Sequence, residues 1–594
     1  MRGFVYMRGQ LEKHFSKNWQ EYICFTGMLL IIFVAVYSKF NLSEWDLSYP
    51  FEYNGGDDMS MLVDAKLLTE QFWKTETSRL GAPYGTQFYD FPANMLYYTG
   101  LAIMKIFAVF TSNAVLTLNL TYLSIFFISG AVSYIVMRSL KINCWVSSFM
   151  SAVFGVSPYM LARGIGHMVL TEAYFVPLSI LLCFWVMERE DVFVFDRSFF
   201  KKKINYAVIL CAFLIANNGI AYYQFFTCYI LLVVGVSKWI KTKKISGFIK
   251  SVSIISLICI FMIISLMPMI IYSIVNGANN DVVARNGFYE AELYGLKIIM
   301  LFLPRSGHGI FDNLIENYQS NTMALNFENI SAYLGIVAII GFIVLMIALF
   351  INRDSMIKKR LAMLSELNIM LLLLGTTSGF GTIFAFLISD KLRSYSRISI
   401  FIEYVCIIGI ALVINELIKK KINNKKNVTA VAIVICTFMM CAISIWEVSN
   451  PATKSYSEIK AEYDSDEKFV SDIEAAVPEG AMIYQLPYHS YPEGGAQNNM
   501  SDLHLFIGYV HSDNLRWSFG SVKGREGDAW NSNVGEMEYE EMVSYLRDEG
   551  FAGIYIDKRA YEEADFNELE SRLENYIGES PLISDNGNLI FFKL

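Results

Sequence analysis

Long apolar runs separated by short charged connections make up the chain from about residue 21 to residue 446. Most runs are near twenty residues long, enough for a helix to cross the roughly 30 Å hydrocarbon core of a bilayer. Two stretches, 95–110 and 296–303, are shorter and are predicted to lie embedded or along the surface. The pattern predicts eleven membrane-spanning helices: 21–40, 113–137, 145–161, 170–187, 204–218, 222–238, 252–275, 331–351, 361–378, 398–418 and 427–446.

After residue 446 the long apolar runs stop and shorter helical and extended patterns alternate. Helices are predicted over 466–476, 539–549 and 564–576, and strands over 482–486, 552–556, 582–584 and 589–592. About 140 residues of this alternation are enough for one independent α/β domain. The sequence therefore predicts a mainly α, polytopic transmembrane bundle over 1–446 and an α/β domain over 447–594.

Lysine and arginine are concentrated in every second connection between the predicted spans. The basic connections are the N-terminal segment, 138–141, 197–203, 238–244, 353–360 and 419–426. The positive-inside rule makes them cytoplasmic, which places the N-terminus inside. The large loops 41–112 and 276–330 and the domain 447–594 are then outside. A crossing at 95–110 would move the later basic clusters outside, so this stretch is predicted not to span.

Composition excludes several functional classes. A 54% share of hydrophobic residues and a mean hydropathy of +0.39 exclude an ordinary soluble protein. Residues 447–594 carry 29 acidic and 11 basic side chains, which argues against nucleic acid as a partner. The nine cysteines lie in or beside apolar runs, and no Cys/His metal spacing occurs, so no metal site is predicted. The sequence also lacks nucleotide-binding and ATPase motifs.

The first large loop contains an acidic pair, Asp57 and Asp58, directly after Gly55 and Gly56. Adjacent carboxylates repel each other and are costly to desolvate, while glycines let a backbone approach a ligand closely. A carboxylate there could deprotonate an acceptor hydroxyl or hold a divalent cation. Asp90, at the return of this loop to the membrane, is a further candidate for substrate binding. The alternative is an exposed acidic loop without catalytic function.

Cationic side chains at the outer surface are candidates for binding a phosphate. Arg163 and His167 flank a glycine-containing turn between two spans, and Arg393 and Arg397 precede another span against the positive-inside bias. A lipid-linked phosphate could hold them there, although phospholipid headgroups would serve equally. The second large loop adds four candidates, for which surface salt bridges are the alternative explanation: Glu290, Glu292, Lys297 and His308.

These segments resemble the GT-C superfamily of integral-membrane glycosyltransferases, and within it the bacterial YfhO-like, polyprenyl-phosphate-sugar-dependent enzymes. The resemblance rests on scattered patches: 55–58, 80–83, 90–92, 163–167, 221–223, 292–297 with Pro304 and His308, 393–397, 485–488 and 516–520. It implies a sugar carried on a polyprenyl phosphate and an acid in the first loop that acts as base or orients the acceptor. Protein mannosyltransferases tend to have Asp-Glu where this chain has Asp-Asp.

The resemblance also bears on cofactors and on location. The oligosaccharyltransferase branch of the superfamily uses a metal, whereas lipid-monophosphate-sugar enzymes generally do not. Residues 447–594 contain no sequon-reading motif, which favours the metal-free branch, with a divalent cation still possible. The expected location is a bacterial plasma membrane, with the C-terminal domain outside the cytoplasm.

The expected function is inverting transfer of a sugar from a lipid-linked donor to a cell-envelope glycan, lipid or polymer. Asp57 or Asp58 would act as base, and Arg163, Arg393 and Arg397 would neutralise the leaving phosphate. Two alternatives stay open: a non-enzymatic translocase of lipid-linked sugar, and a membrane protein that binds envelope polymers. A translocase predicts ionisable groups within the spans, where Glu366 and Glu403 are the exceptions to a scarcity of acids.

Overall fold

The computed structural model describes residues 2–90, 96–219, 221–282, 287–304, 312–322, 327–351, 354–449 and 455–594, with side chains from residue 18 onward except at 314 and 327. Within these ranges, eight helices are long and apolar enough to cross a membrane. They are Asn18–Lys39 (the apolar part of Arg2–Lys39), Ala114–Ser139, Cys144–Arg163, Met168–Glu188, Tyr222–Thr242, Ser246–Asn276, Tyr395–Asn423 and Asn427–Val448. The chain is therefore a multi-pass membrane protein.

Four further helices pack against these: Tyr98–Thr111, Lys203–Ala216, Ile336–Ala348 and Met356–Gly375. Each of the eleven predicted spans coincides with one of the helices described. The helix Tyr395–Asn423 is central, with 94% of its most apolar stretch buried, whereas Ser246–Asn276 has 11% buried and lies at the periphery. The predicted mainly α, polytopic class is confirmed.

Two of the predicted spans are broken near their ends, and the breaks shape the turn between them. The first consists of Cys144–Gly155 and Pro158–Arg163, with proline at the first helical position, where its missing N–H costs nothing. The second begins as Met168–Thr171, continues through a 3₁₀ turn, and becomes regular at Val176–Glu188. The turn 163–167 thus connects two short helical pieces.

The helix Tyr98–Thr111 contacts a loop at its start, where the Thr99 N–H donates to the carbonyl of Asn217, 3.0 Å away. The helix that follows it begins at Ala114, and its Asn119 side chain donates to the carbonyls of Leu47 and Tyr49 in the first loop. That the stretch 95–110 does not cross the membrane stays a prediction.

Short elements occupy the loops on this side. The first loop contains the helix Asp57–Glu70, a two-stranded antiparallel ribbon of β1 (Glu76–Thr77) and β2 (Thr86–Gln87), and a 3₁₀ turn at Phe88–Asp90. The other short elements are Tyr289–Leu293, Ile298–Leu301, Asp312–Ser320, Phe327–Ile330 and Phe380–Leu387.

The residues after the last apolar helix form an α/β unit, called here the C-terminal unit (455–594). Its five-stranded sheet has the order β4-β3-β5-β7-β6, formed by β3 (Met482–Leu486), β4 (Arg516–Trp517), β5 (Phe551–Asp557), β6 (Leu582–Ile583) and β7 (Leu589–Lys593). β3 runs parallel to β4 and β5, and β7 is antiparallel to β5 and β6. Its helices are Tyr456–Ala476, Phe506–His511, Glu526–Gly535, Tyr539–Asp548 and Glu563–Ile577.

Most elements of this unit agree with the sequence prediction, and β3 has the predicted bounds. The prediction missed β4 and the helices Phe506–His511 and Glu526–Gly535. The first helix also differs, because it begins at Tyr456 instead of residue 466. A capping box explains the earlier start: the Ser455 hydroxyl accepts the Glu458 N–H, and the Glu458 carboxylate accepts the Ser455 N–H. The extra turns are acidic and polar, so they carry little apolar periodicity.

One bidentate ion pair joins the C-terminal unit to the first loop. The guanidinium of Arg525 donates to both carboxylate oxygens of Asp90, at 2.6 and 2.8 Å. It also donates to the carbonyls of Asn276 and Gly277 and lies over the ring of Tyr272. The Asp90 side chain is 5% exposed and that of Arg525 is 22% exposed, so the pair is partly shielded from water. Arg525 thereby ties three separate segments together.

We expect Arg525→Ala to loosen this attachment and to lower the free energy of unfolding by roughly 1.5–3 kcal/mol, the usual contribution of hydrogen bonds to charged groups. Thermal unfolding of the purified protein in detergent measures it. Arg572→Ala is the matched control, because Arg572 pairs with exposed Glu538 and Glu540 inside the C-terminal unit. Equal effects of the two substitutions would contradict a joining role for Arg525.

Candidate functional site

The two aspartates of the acidic pair have different surroundings. Asp58 is 6% exposed, and its carboxylate accepts the backbone N–H groups of Asn54 at 2.6 Å and Gly56 at 3.1 Å. It therefore holds the turn that precedes the helix. The side chain of Asp57, at the first position of that helix, is 66% exposed. The pair thus divides into a structural carboxylate and an open one.

Asp57 stays in contact with water, but the protein around it removes part of its hydration. This desolvation raises the pKa of Asp57 to about 6, and the like charges of Asp58, Asp502 and Glu493 add to the shift. The positive charge of Arg397 opposes it. A general base is most effective when its pKa lies near the working pH, so this environment suits Asp57 for proton abstraction.

The turn 163–167 packs directly against the acidic pair. Gly164 has a φ of +65°, and a Cβ there would lie 2.3 Å from an oxygen of Glu52, so only glycine fits. The Gly166 N–H donates to the other Glu52 oxygen at 3.1 Å, and a Cβ on Gly166 would lie 3.6 Å from the backbone nitrogen of Asp58. Glu52, which the sequence analysis does not select, therefore fixes the turn.

Arg163 and Arg397 meet at a single carboxylate, that of Glu328. Arg163 Nη2 lies 2.8 Å from Glu328 Oε2, and Arg397 Nη2 lies 2.5 Å from Oε1. The Arg163 side chain is fully buried and the other two are 10% exposed. Two cations and one anion leave a net charge of +1 in this buried group, called here the arginine cluster (Arg163, Glu328, Arg397).

The two arginine partners of Glu328 keep its carboxylate ionised. Burial alone would raise its pKa, but the guanidinium groups of Arg397 and Arg163 hold that pKa well below its usual range. Each arginine also lies over an aromatic ring, Arg163 over Tyr159 and Arg397 over Tyr222, at 4.9 and 4.5 Å from the ring centres. The arginine cluster therefore stays charged at any physiological pH.

His167 lies beside Asp57 and within the field of the arginine cluster. Its Nε2 is 3.8 Å from Asp57 Oδ2. Burial, together with the positive charges of Arg163 and Arg397, lowers the pKa of His167 to about 4. The imidazole is consequently neutral near pH 7 and adds no charge beside the open carboxylate.

Arg393 and Glu290 lie beside the arginine cluster. Arg393 Nη1 is 3.2 Å from Glu290 Oε1, and the guanidinium lies over the ring of Tyr294. The Arg393 N–H donates to the hydroxyl of Tyr222, whose ring also carries Arg397. At 32% exposure, the Arg393 side chain is the more accessible guanidinium of the neighbourhood.

The remaining predicted residues lie elsewhere. Glu292 accepts the hydroxyl of Ser378 at 2.8 Å, and the backbone N–H of Lys297 donates to Asn329. Asp90 is engaged by Arg525, and His308 lies outside the described residues. The structure thus brings together Asp57, Asp58, Arg163, His167 and Arg397, with Arg393 and Glu290 adjoining. Across the ranges that the structure describes, no group of three or more His, Cys, Asp or Glu side chains is arranged to hold a metal ion.

A small recess, with room for about one water molecule, opens at the carboxyl ends of β3 and β4. His489 lines it, and His489 Nε2 is 3.1 Å from Asp502 Oδ1. Ligands of α/β sheets commonly bind beyond the carboxyl ends of the strands. The other lining residues are Tyr484, Gln485, Pro487, Tyr488, Leu505, Ser518, Phe519, Gly520, Ser521, Asp528 and Asn531.

The fold and the site define a multi-pass helical membrane protein whose loops and C-terminal unit converge on one charged region. Residues 100–421 match DUF6311, described as a domain of unknown function. This match covers more than half of the chain, so the chain belongs to the DUF6311 family. No curated protein matches it.

Three solved structures share a general likeness to the chain. The mycobacterial arabinofuranosyltransferase AftD is 11% identical with a TM-score of 0.47, over 91% of this chain and 35% of AftD. The oligosaccharyltransferase AglB from Archaeoglobus fulgidus, in complex with an inhibitory peptide and a dolichol-phosphate, is 12% identical (TM-score 0.45; 98% and 74% covered). ArnT from Cupriavidus metallidurans, bound to undecaprenyl phosphate, is 10% identical (TM-score 0.41; 97% and 98%). The chain thus spans about a third of the length of AftD, and likeness at these scores carries no functional argument.

Glu328→Gln should destabilise the protein, because it leaves two buried guanidinium groups without their shared carboxylate; breaking a buried pair costs about 3–5 kcal/mol. Thermal unfolding in detergent measures the loss. Glu292→Gln is the control, since Glu292 accepts only a serine hydroxyl among the contacts described above.

The pH dependence of this loss follows from the lowered pKa of Glu328. A carboxyl whose pKa is lower in the folded state stabilises fully above its unfolded pKa, about 4.3 for Glu, and less as the pH falls through the folded pKa. The difference between wild type and Glu328→Gln should therefore be largest near pH 7 and shrink below about pH 4.3. A constant difference from pH 7 to pH 3 would contradict the charge assignment.

Proposed function

We propose that this protein is a membrane glycosyltransferase that moves a sugar from a polyprenyl-phosphate-linked donor to an acceptor hydroxyl at the outer face. One observation carries the proposal: an open carboxylate, Asp57, lies beside a neutral histidine, and the positive charge of the buried Arg397 acts on both. A base close to a positive field is what transfer from a phosphate leaving group requires.

The arginines would act on the leaving phosphate in two ways. Arg393, the most accessible of them, would contact a phosphate oxygen directly, as guanidinium groups commonly do. Arg163 is fully buried and paired with Glu328, so it would act through its field instead of by contact. The proposal assigns the compensating positive charge to these side chains and requires no cofactor or divalent cation.

Asp57 would act as the general base. As the acceptor oxygen attacks the anomeric carbon, its proton passes to Asp57, and the electron pair of the breaking carbon–oxygen bond passes to the departing phosphate. Attack opposite to the leaving group inverts the anomeric centre. Asp58 is less suited to this role because backbone N–H groups already bind both of its oxygens.

Charged residues at the helix ends remote from the first loop support the proposed orientation. There, basic residues of the predicted cytoplasmic connections pair with acids at helix ends, as Arg360 does with Glu188 and Lys238 with Glu190. The C-terminal unit and Asp57 would consequently face outward in a bacterial plasma membrane. The acceptor would be an envelope glycan, lipid or polymer, approaching from the side of the C-terminal unit.

A translocase of lipid-linked sugar is the second candidate, favoured by two buried acids within the helices. Glu172 accepts the hydroxyl of Tyr174 at 3.0 Å, and Glu403 accepts that of Ser157 at 2.5 Å. Ionisable groups within spans often mark transport paths. Vesicles loaded with lipid-linked sugar separate the two candidates, because a translocase moves the lipid across the bilayer without forming a glycosylated product.

We expect Asp57→Asn to lower sugar transfer by at least about 100-fold, since a positioned general base contributes roughly 10²–10⁴-fold. The measurement uses purified protein in liposomes with a labelled polyprenyl-phosphate sugar and extracted envelope acceptors. Asp46→Asn is the matched control: Asp46 is an exposed acid of the same loop that caps only Ser48. Transfer at the wild-type rate in Asp57→Asn would refute the proposed base.

A further inference from the structure

The C-terminal unit touches the turn that carries Asp57. The Leu503 N–H donates to the carbonyl of Gly55 at 2.8 Å. Gly55 has a φ of +70°, and a Cβ there would lie 1.8 Å from the imidazole carbon Cδ2 of His504. Side chains cannot be accommodated at that separation, so the glycine allows the histidine ring to rest on the backbone of the turn.

The touching segment (residues 501–504) is itself held firmly inside the C-terminal unit. His504 is 7% exposed, and its Nδ1 accepts the Ser501 N–H at 2.8 Å, which fixes the ring orientation. Asp502 accepts the Gly495 N–H at 2.8 Å and lies 3.1 Å from His489 Nε2. These bonds leave the segment little freedom to move independently.

The segment is also connected to the central sheet. The Asn499 N–H donates to the carbonyl of Arg559, at 2.9 Å. The guanidinium of Arg559 in turn binds both oxygens of Asp557, the last residue of β5. The segment 499–503 therefore runs from the end of the central strand β5 to the Gly55 carbonyl and is hydrogen-bonded at both ends.

We propose that residues 501–504 of the C-terminal unit position Asp57, by bracing the Gly55–Gly56 turn from outside and by holding the Asp502 carboxylate near it. This inference rests on the proposed function, in which Asp57 is the base. Asp58 holds the turn from inside through Asn54 and Gly56, so the turn is fixed on both sides. Asp502 and its neighbours are positioning residues and contact no reacting atom.

The bracing has an electrostatic consequence. The charged and titratable groups that act on Asp57 are Asp58, Asp502, Glu493 and Arg397, with the imidazole of His167 at 3.8 Å. Two of these, Asp502 and Glu493, belong to the C-terminal unit, and both raise the pKa of Asp57. A docked C-terminal unit thus makes Asp57 the stronger base.

The experiment follows the protonation of Asp57 without requiring catalysis. Water-soluble carbodiimide with an amine nucleophile modifies protonated carboxyl groups, and peptide mass spectrometry gives the extent at Asp57 as a function of pH. The wild-type midpoint is expected at about 6. Asp502→Asn keeps the acceptor oxygen but removes the charge, and should lower the midpoint by about 0.5 unit, the effect of one like charge several ångströms away in a solvated site.

Two further variants complete the test. Asp513→Asn is the matched control, because Asp513 is an exposed acid of the same unit that pairs with Lys66 and is not among the main charges that shift the pKa of Asp57. Gly55→Ala pushes His504 away from the turn, so it should lower the Asp57 midpoint and also expose the buried Asp58 to labelling. If Gly55→Ala fails to fold, Asp502→Asn remains decisive.

The outcomes separate this inference from the proposed function. An unchanged midpoint in Asp502→Asn overturns the positioning role, even if sugar transfer is observed. A lowered midpoint in Asp502→Asn but not in Asp513→Asn supports it, even if no sugar donor is turned over. Where transfer is measured, the acid limb of its pH–rate profile should shift in Asp502→Asn in the same direction as the labelling midpoint.

Discussion

The sharing of one carboxylate by two buried arginines is the interaction on which the rest of the site depends. Moving three charges out of water costs several kcal/mol for each ion, which only close pairing and additional hydrogen bonds repay. Glu328 comes from a loop, Arg163 from the end of one span and Arg397 from the start of another. Their pairing therefore sets the position of the turn 163–167 and of everything packed on it.

Neighbouring residues of the same type acquire different properties from this arrangement. Asp58 turns inward, where its oxygens accept backbone N–H groups of its own turn, whereas Asp57 points to water. Arg163 and Arg393 differ in the same way, one fully enclosed and the other partly accessible. In each case burial and partners, more than residue type, decide which side chain can meet a ligand.

The sequence indicates the candidate residues better than it indicates their partners. Apolar length and basic connections predict the helices, and alternation predicts β3 to the residue. Surface chemistry singles out Asp57, Arg163, His167 and Arg397, which the fold does bring together. The sequence does not reveal the roles of Glu328 and Glu52, because their partners lie 165 and 114 residues away and no local pattern indicates so distant a pairing. Asp90 is a candidate for substrate binding in the sequence, yet its carboxylate binds Arg525, 435 residues further along.

The contact of His504 with Gly55 has a consequence for how such chains can diverge. A domain such as the C-terminal unit could be expected to be exchanged between related proteins as an independent module. Here the fit at Gly55 and the ion pair at Asp90 link the first loop to residues more than four hundred positions away. A recombinant that inherits the two stretches from different parents would combine surfaces that never adapted to each other. The two stretches should therefore be inherited together, as a single unit of selection.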